Sequence, residues 1–240
     1  MMIDMTARIA LAPLLGYQAV RTRRIALRMP EPEGPRAGHA GQGDPLSMLI
    51  YGDSSAAGVG VDQQSKGLSG QLVRHLSEDR RVYWALQATS GHTTMLSRAD
   101  LEARPAERFD IAVQALGVND MNSGLPVRAF IFRQRRLHRM IRKRFGTRLI
   151  FVSGMPPVHC FPLLPQPLRW VLGRQARRYD RALIAYAAHT PGIVHVPFDL
   201  PDDPTLAAED GFHPGPIVYR DWARLIALSV QEQVRRSAAV

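Results

Sequence analysis

The feature that most constrains this chain is an alternation. Short apolar, β-rich runs at Ser47–Tyr51, Val82–Gln87, Phe109–Leu116, Leu149–Ser153 and Ile193–Val196 are separated by longer stretches of helical spacing. Those stretches run over Leu68–Leu76, Thr94–Glu102, Pro126–Phe145, Leu168–Ala188 and Pro216–Val234. Strands that are apolar throughout, rather than at every second residue, belong to sheets covered on both faces, and regular strand–helix alternation makes the sheet mainly parallel. The expectation is one α/β domain: a three-layer α/β/α sandwich on a mainly parallel five-stranded sheet. With 240 residues, 45% of them hydrophobic, the chain is long enough for one such core and too short for two full domains.

The chemically informative residues fall just after these runs, on the edge where open α/β sheets place their ligand crevices. Gly52-Asp53-Ser54-Ser55 follows the first run, Ser90-Gly91-His92 the second, Gly117-Val118-Asn119-Asp120 the third, and Asp210-Gly211-Phe212-His213-Pro214 lies in a loop after the last. Acyl transfer asks such a rim for a hydroxyl nucleophile, a base, a carboxylate to hold that base, and donors for a developing oxyanion. Ser54 sits on a strand-to-helix turn eased by glycines at 52, 58 and 60. A spacing of three puts Asp210 and His213 on one side, so that the carboxylate can take the Nδ1 proton and leave Nε2 free as base. Backbone N–H groups of Ser54 and Gly91 and the side-chain amide of Asn119 can form the oxyanion hole. Asp53 and Asp120 are expected to hold loop backbones.

Taken together, Gly-Asp-Ser, an isolated glycine, Gly-x-Asn-Asp and Asp-x-x-His-Pro, in that order, resemble the four blocks of the SGNH (GDSL) hydrolase family, serine esterases and lipase-like enzymes. The resemblance spans Leu49 to about Trp222. It implies a flavodoxin-like fold, with Ser54 in the nucleophile position, Gly91 and Asn119 in the oxyanion positions, and Asp210 and His213 completing a triad. One departure is that Ser55 and Ala56 stand where the family usually continues with leucine. The implied activity is carboxylic ester hydrolysis through an acyl-enzyme, with no metal and no organic cofactor, on a small-molecule ester substrate. Alternatives on the same fold are a carbohydrate deacetylase, a thioesterase or lysophospholipase, or an acyltransferase. A non-enzymatic alternative is a basic peripheral lipid- or nucleic-acid-binding protein with a vestigial site. His92, Met155 and Pro156 are candidate substrate contacts, and the irregular apolar stretch from Met155 to Pro167 is a candidate acyl-pocket lining.

The single cysteine, Cys160, excludes an intrachain disulfide and any multi-cysteine zinc site, and its Pro-rich apolar setting reads as packing rather than nucleophilic chemistry. The formal charge is +10, and Lys66 and Lys143 are the only lysines, so the positive charge is almost all arginine. Arg133, Arg135, Arg136, Arg139, Arg142, Lys143 and Arg144 crowd one helix, but without interleaved aromatics they read as a solvated face, and no nucleic-acid partner is expected. Residues 1–29 form a helical segment in which Ile9–Val20 is uncharged and too short to span a bilayer. Arginines follow its apolar run instead of preceding it, unlike a secretory signal. An anionic membrane surface is therefore its candidate partner. The expected location is cytoplasmic, with a peripheral position at the inner face of the membrane. Residues 30–46, dense in Pro and Gly, read as a linker or draped loop, and residues 47–240 as the hydrolase domain.

Overall fold

The structure, a computed structural model, describes residues 11–198 and 203–238. In chain order its elements are α1 (Ala12–Ile25), β1 (Ala37–Ala40), β2 (Asp44–Gly52), α2 (Ser54–Ala57), α3 (Leu68–Leu76), β3 (Arg80–Ala88) and α4 (Thr94–Ala103). They continue through β4 (Ile111–Ala115), α5 (Val118–Asn122), α6 (Val127–Phe145), β5 (Leu149–Ser153), α7 (Leu168–Ala188), β6 (Ile193–Val196) and α8 (Pro216–Ala238). The sheet order is β1-β3-β2-β4-β5-β6, parallel throughout except for β1, which runs antiparallel along β3. The three-layer architecture is as the sequence implies. The sheet, however, has six strands instead of five.

Both faces of the sheet are dry, which is why its central strand reads as a continuous apolar run. On β2, Met48 and Ile50 point into a cluster with α3 and α8, while Leu49 and Tyr51 point into the opposite cluster with α6 and α7. All four side chains are fully buried. Truncating one of the aliphatic ones, Ile50→Ala for example, would cost about 2–5 kcal/mol through lost transfer energy and the cavity left behind. On α6, Phe130, Gln134, Leu137, His138, Ile141 and Phe145 form the buried stripe, and the helix ends where Gly146 turns left-handed. Its two polar members bond inside the layer, Gln134 only through its Nε2, which donates to Thr94 Oγ1 at 2.9 Å while its Oε1 has no partner. His138 bridges Tyr186 and Gln114, and Tyr51 donates to the same Gln114 oxygen at 2.9 Å. Burial, with Arg142 nearby, pushes His138 down to about 3, so the imidazole is neutral.

The order of the parallel strands creates the site. From β2 the chain goes outward to β3 on one side and returns to β4 on the other. A crevice therefore opens at the carboxyl ends of β2 and β4, where connections leave in opposite directions. At its floor the two strands press together. A Cβ on Gly52 would lie 2.1 Å from the carbonyl oxygen of Ala115, so a side chain there would drive β2 and β4 apart.

The Pro/Gly-rich segment is not a linker. Residues 37–40 pair with Val82–Ala85 as the edge strand, and β2 already begins at Asp44. Glu31 accepts hydrogen bonds from both the N–H and the hydroxyl of Ser90, each 2.8 Å, and pairs with Arg36. The sequence disguises β1 because it is an exposed edge with no apolar face to bury. Helix α1 lies against the start of α7, where Gln18 donates to the carbonyl of Gln166 and accepts from the N–H of Leu168.

Candidate active site

The site is assembled from two tight turns that face one another across the crevice. After β2, Asp53 caps α2 by accepting from the N–H of Ser55 at 3.1 Å, and α2 stops at Gly58, whose φ of 91° is left-handed. This one-turn helix holds Ser54 at the mouth of the switch point. The facing turn is built on Asp210, whose Oδ1 accepts from the N–H groups of Phe212 and His213, each 2.9 Å. Such an Asx turn folds the imidazole back over the carboxylate that organises it.

The result is one continuous contact chain. His213 Nδ1 lies 2.5 Å from Asp210 Oδ2, and His213 Nε2 lies 2.9 Å from Ser54 Oγ. An ionised carboxylate only accepts, so the proton sits on Nδ1, and Nε2 is left to accept from the serine hydroxyl. Asp210 is 6% exposed. Burial pushes its carboxyl up, but the His213 ring and the two backbone N–H groups outweigh this and hold it below the ordinary aspartate value. Ser54, Asp210 and His213, far apart in sequence, are thus in mutual contact.

A second carboxylate lies on the other side of Ser54. Asp53 is 4% exposed, and burial pushes it up to about 7 against the opposing pull of the Ser55 N–H and of His213. Asn119 stands on the crevice wall, and its amide donates to the carbonyl of His92 at 3.0 Å and, at a longer 3.5 Å, to Asp53 Oδ2. Asp120, fully buried, ties the same turn to the N-terminus of α4 by accepting from the N–H and hydroxyl of Thr94, each 2.8 Å. Asp120 and Asp53 thus hold loop backbones, as their neighbours in sequence suggest. Gly91 lies in the turn after β3 with φ of 83°, and a Cβ there would meet nothing. It does not form part of the crevice wall.

Behind Ser54 the crevice deepens into a mostly apolar cavity. Met155 and Pro156 line it, as expected from sequence, together with Leu116, Val118, Phe161, Phe198, Phe212 and Trp222. Cys160 is on this wall too. His92 is a correction: it is not among the residues that line the cavity; its Nδ1 lies 3.5 Å from Asp100 Oδ2, and its carbonyl accepts from Asn119. Ser55, the departure from the usual motif, lines the cavity, while Ala56 is buried in the core.

Sequence reading missed a second acid–imidazole pair under this wall. Asp180 Oδ1 lies 2.9 Å from His195 Nε2 and also accepts from the N–H of Met155 at 2.9 Å. The two residues sit 15 positions apart on α7 and β6, a separation that carries no local signal. Among the described residues no three His, Cys, Asp or Glu side chains converge to hold a metal.

Solved structures with this fold include a family 3 carbohydrate esterase from Clostridium thermocellum, 15% identical, with TM-score 0.63 over 81% of this chain and 100% of that one. A psychrotrophic esterase from Pseudoalteromonas sp. is 18% identical, with TM-score 0.58 over 79% and 99%. An acetylxylan esterase from Geobacillus stearothermophilus is 18% identical, with TM-score 0.56 over 77% and 94%. No curated protein sequence matches the chain. The sequence model of GDSL-like lipases and acylhydrolases matches residues 50–220, the stretch that carries every one of these turns, and the chain belongs to that family.

Proposed function

We propose that this protein hydrolyses carboxylic esters through an acyl-enzyme on Ser54. The observation that carries the reading is the unbroken contact from Asp210 through His213 to Ser54 at the mouth of an apolar cavity. As Ser54 Oγ attacks the ester carbonyl carbon, its proton passes to His213 Nε2, and Asp210 stabilises the imidazolium that forms. The carbonyl oxygen, now negative, is received by the N–H of Ser54 and by the side-chain amide of Asn119, which gives up its long 3.5 Å contact with Asp53 to do so, while Gly91 stays outside the crevice. The tetrahedral intermediate collapses, the C–O bond to the alcohol breaks, and His213 returns the proton to the departing alkoxide. Water then repeats the sequence on the acyl-enzyme, giving the acid and free Ser54. His92 takes no part through its ring.

Aromatic and aliphatic side chains around the cavity favour an aliphatic acyl group over a bare acetyl. This places a lipase-like, thioesterase or lysophospholipase substrate ahead of a carbohydrate deacetylase, although solved structures of the same fold include carbohydrate esterases. An acyltransferase would use the same first half-reaction with another alcohol in place of water.

Labelling with a fluorophosphonate and mapping the adduct by mass spectrometry tests the proposal. The adduct is expected on the Ser54 peptide, with kcat/KM higher for octanoyl than for acetyl ester. Ester turnover that persists in Ser54→Ala would overturn it. A wild type that neither labels nor turns over any ester would leave the non-enzymatic reading instead.

A further inference from the structure

The arginines of this molecule meet two different fates. On α6, Arg133 faces Asp120, Arg135 and Arg136 lie over the rings of Tyr186 and Phe132, and Arg142 and Arg144 donate to the carbonyls of Pro191 and Arg104. Much of that face is consumed within the fold. On α1 and just beyond it, by contrast, Arg21, Arg23, Arg24 and Arg28 are all exposed. Among the described residues none of these four pairs with a carboxylate.

The same segment holds large apolar side chains in water. Leu14, Tyr17, Val20 and Ile25 on α1, and Leu27 just beyond it, are exposed, Tyr17 by 65%. Helix α1 contains no acidic residue. Where it meets α7, the surface is extended by Trp170, Arg174, Arg177 and Arg181, all exposed. Steps of four, three and four put those residues on one helical stripe, and the Arg174 guanidinium lies 5.1 Å from the Trp170 ring centre.

The geometry points to an anionic lipid bilayer as the partner of this surface, with α1 and the first half of α7 resting on the headgroups. A nucleic acid would satisfy the guanidinium groups but leave Leu14, Tyr17, Val20, Ile25 and Leu27 in water. A bilayer interface accepts both, aromatic and aliphatic side chains at the acyl boundary and arginines at the phosphates. Docking is peripheral, since among the described residues no helix is long and apolar enough to cross a membrane. The segment from Phe161 on the cavity wall to Pro167 at the root of α7 joins this surface to the cavity. Given the hydrolase reading, a docked molecule holds its acyl cavity beside the lipid. Docking itself does not depend on that reading.

Co-sedimentation with two kinds of vesicle tests it, phosphatidylcholine alone and phosphatidylcholine mixed two to one with phosphatidylglycerol. Wild type and Ser54→Ala are expected to bind the anionic vesicles alike, and pure phosphatidylcholine far less. Each arginine near the surface contributes about fivefold in partitioning, so the triple variant Arg21→Gln, Arg24→Gln, Arg28→Gln should bind about 100-fold more weakly. Hydrolysis of a soluble butyryl ester should stay at the wild-type rate in that variant, which also reports that it is folded. Leu14→Ser with Tyr17→Ser should weaken binding at every salt concentration, whereas the arginine effect should fade as salt rises. Equal binding to both vesicle types, no binding by wild type, or a triple variant that binds like wild type would overturn the proposal. So would a preference for duplex DNA over the anionic vesicles at matched salt.

Discussion

Two aspartate–histidine pairs flank one cavity, and only one of them is arranged to move a proton. In the Asp210–His213 pair the carboxylate takes Nδ1, and Nε2 points at a hydroxyl 2.9 Å away. In the Asp180–His195 pair the carboxylate takes Nε2, and its oxygen is shared with the N–H of Met155. The first pair is strung between a turn and a serine that lines the cavity. The second is a strut that fastens the cavity wall to α7. Acid, imidazole and a distance near 3 Å are therefore not enough to name a catalytic pair, since the atom left over after the ion pair forms decides what the ring can do.

The comparison breaks most visibly at the two imidazoles. His213→Ala should lower kcat by roughly 10³-fold or more, with the circular dichroism spectrum unchanged, because removing the base leaves only binding and oxyanion stabilisation. Asp210→Asn should cost about 10⁴-fold through the wrong imidazole tautomer. Steady-state kinetics on one soluble ester reads both.

Asp53 sharpens the contrast from a third side. Its carboxyl is raised by burial to about 7, above the unfolded-state value. Its contribution to stability is therefore present below the unfolded value and is lost as pH rises through about 7. Relative to Asp53→Asn, wild type should lose about 2 kcal/mol between about pH 5 and about pH 8 in urea unfolding. A difference independent of pH would mean that the group is ionised throughout. Asp210 has the opposite sign, because its lowered carboxyl gives stability that is lost only as pH falls below the ordinary aspartate range.

The smallest effect belongs to the strut. His195→Ala should change kcat by less than about tenfold and act mainly through KM for long acyl esters, since it loosens the wall at Met155 without touching the proton path. A loss comparable to that of His213→Ala would erase the distinction between the pairs.

The fold was legible where the physics is local. Strands β5 and β6 and helices α3 and α7 run over the same residues that their apolar spacing predicts. That Ser54, Asn119, Asp210 and His213 would meet at one crevice was legible because each sits in a short turn at the same edge of the sheet. Three things were not. Strand β1 has no apolar period because it buries little. The His92 ring lies by Asp100, a partner eight residues on that belongs to the next helix. The cavity wall is gathered from several separate loops, and the Asp180–His195 strut under it closes only once α7 and β6 are in place.

Strand β1 and the stretch leading into it lie wholly before residue 50, where the family similarity begins. Trimming the chain even to the start of β2 at Asp44 would strip the cover from β3, leaving a nine-residue strand with open amides and carbonyls ready to recruit another molecule. The same cut would remove Glu31, and with it the clamp on Ser90 beside the Gly91 amide. A version shortened in this way is therefore expected to aggregate for reasons that lie outside the catalytic motifs.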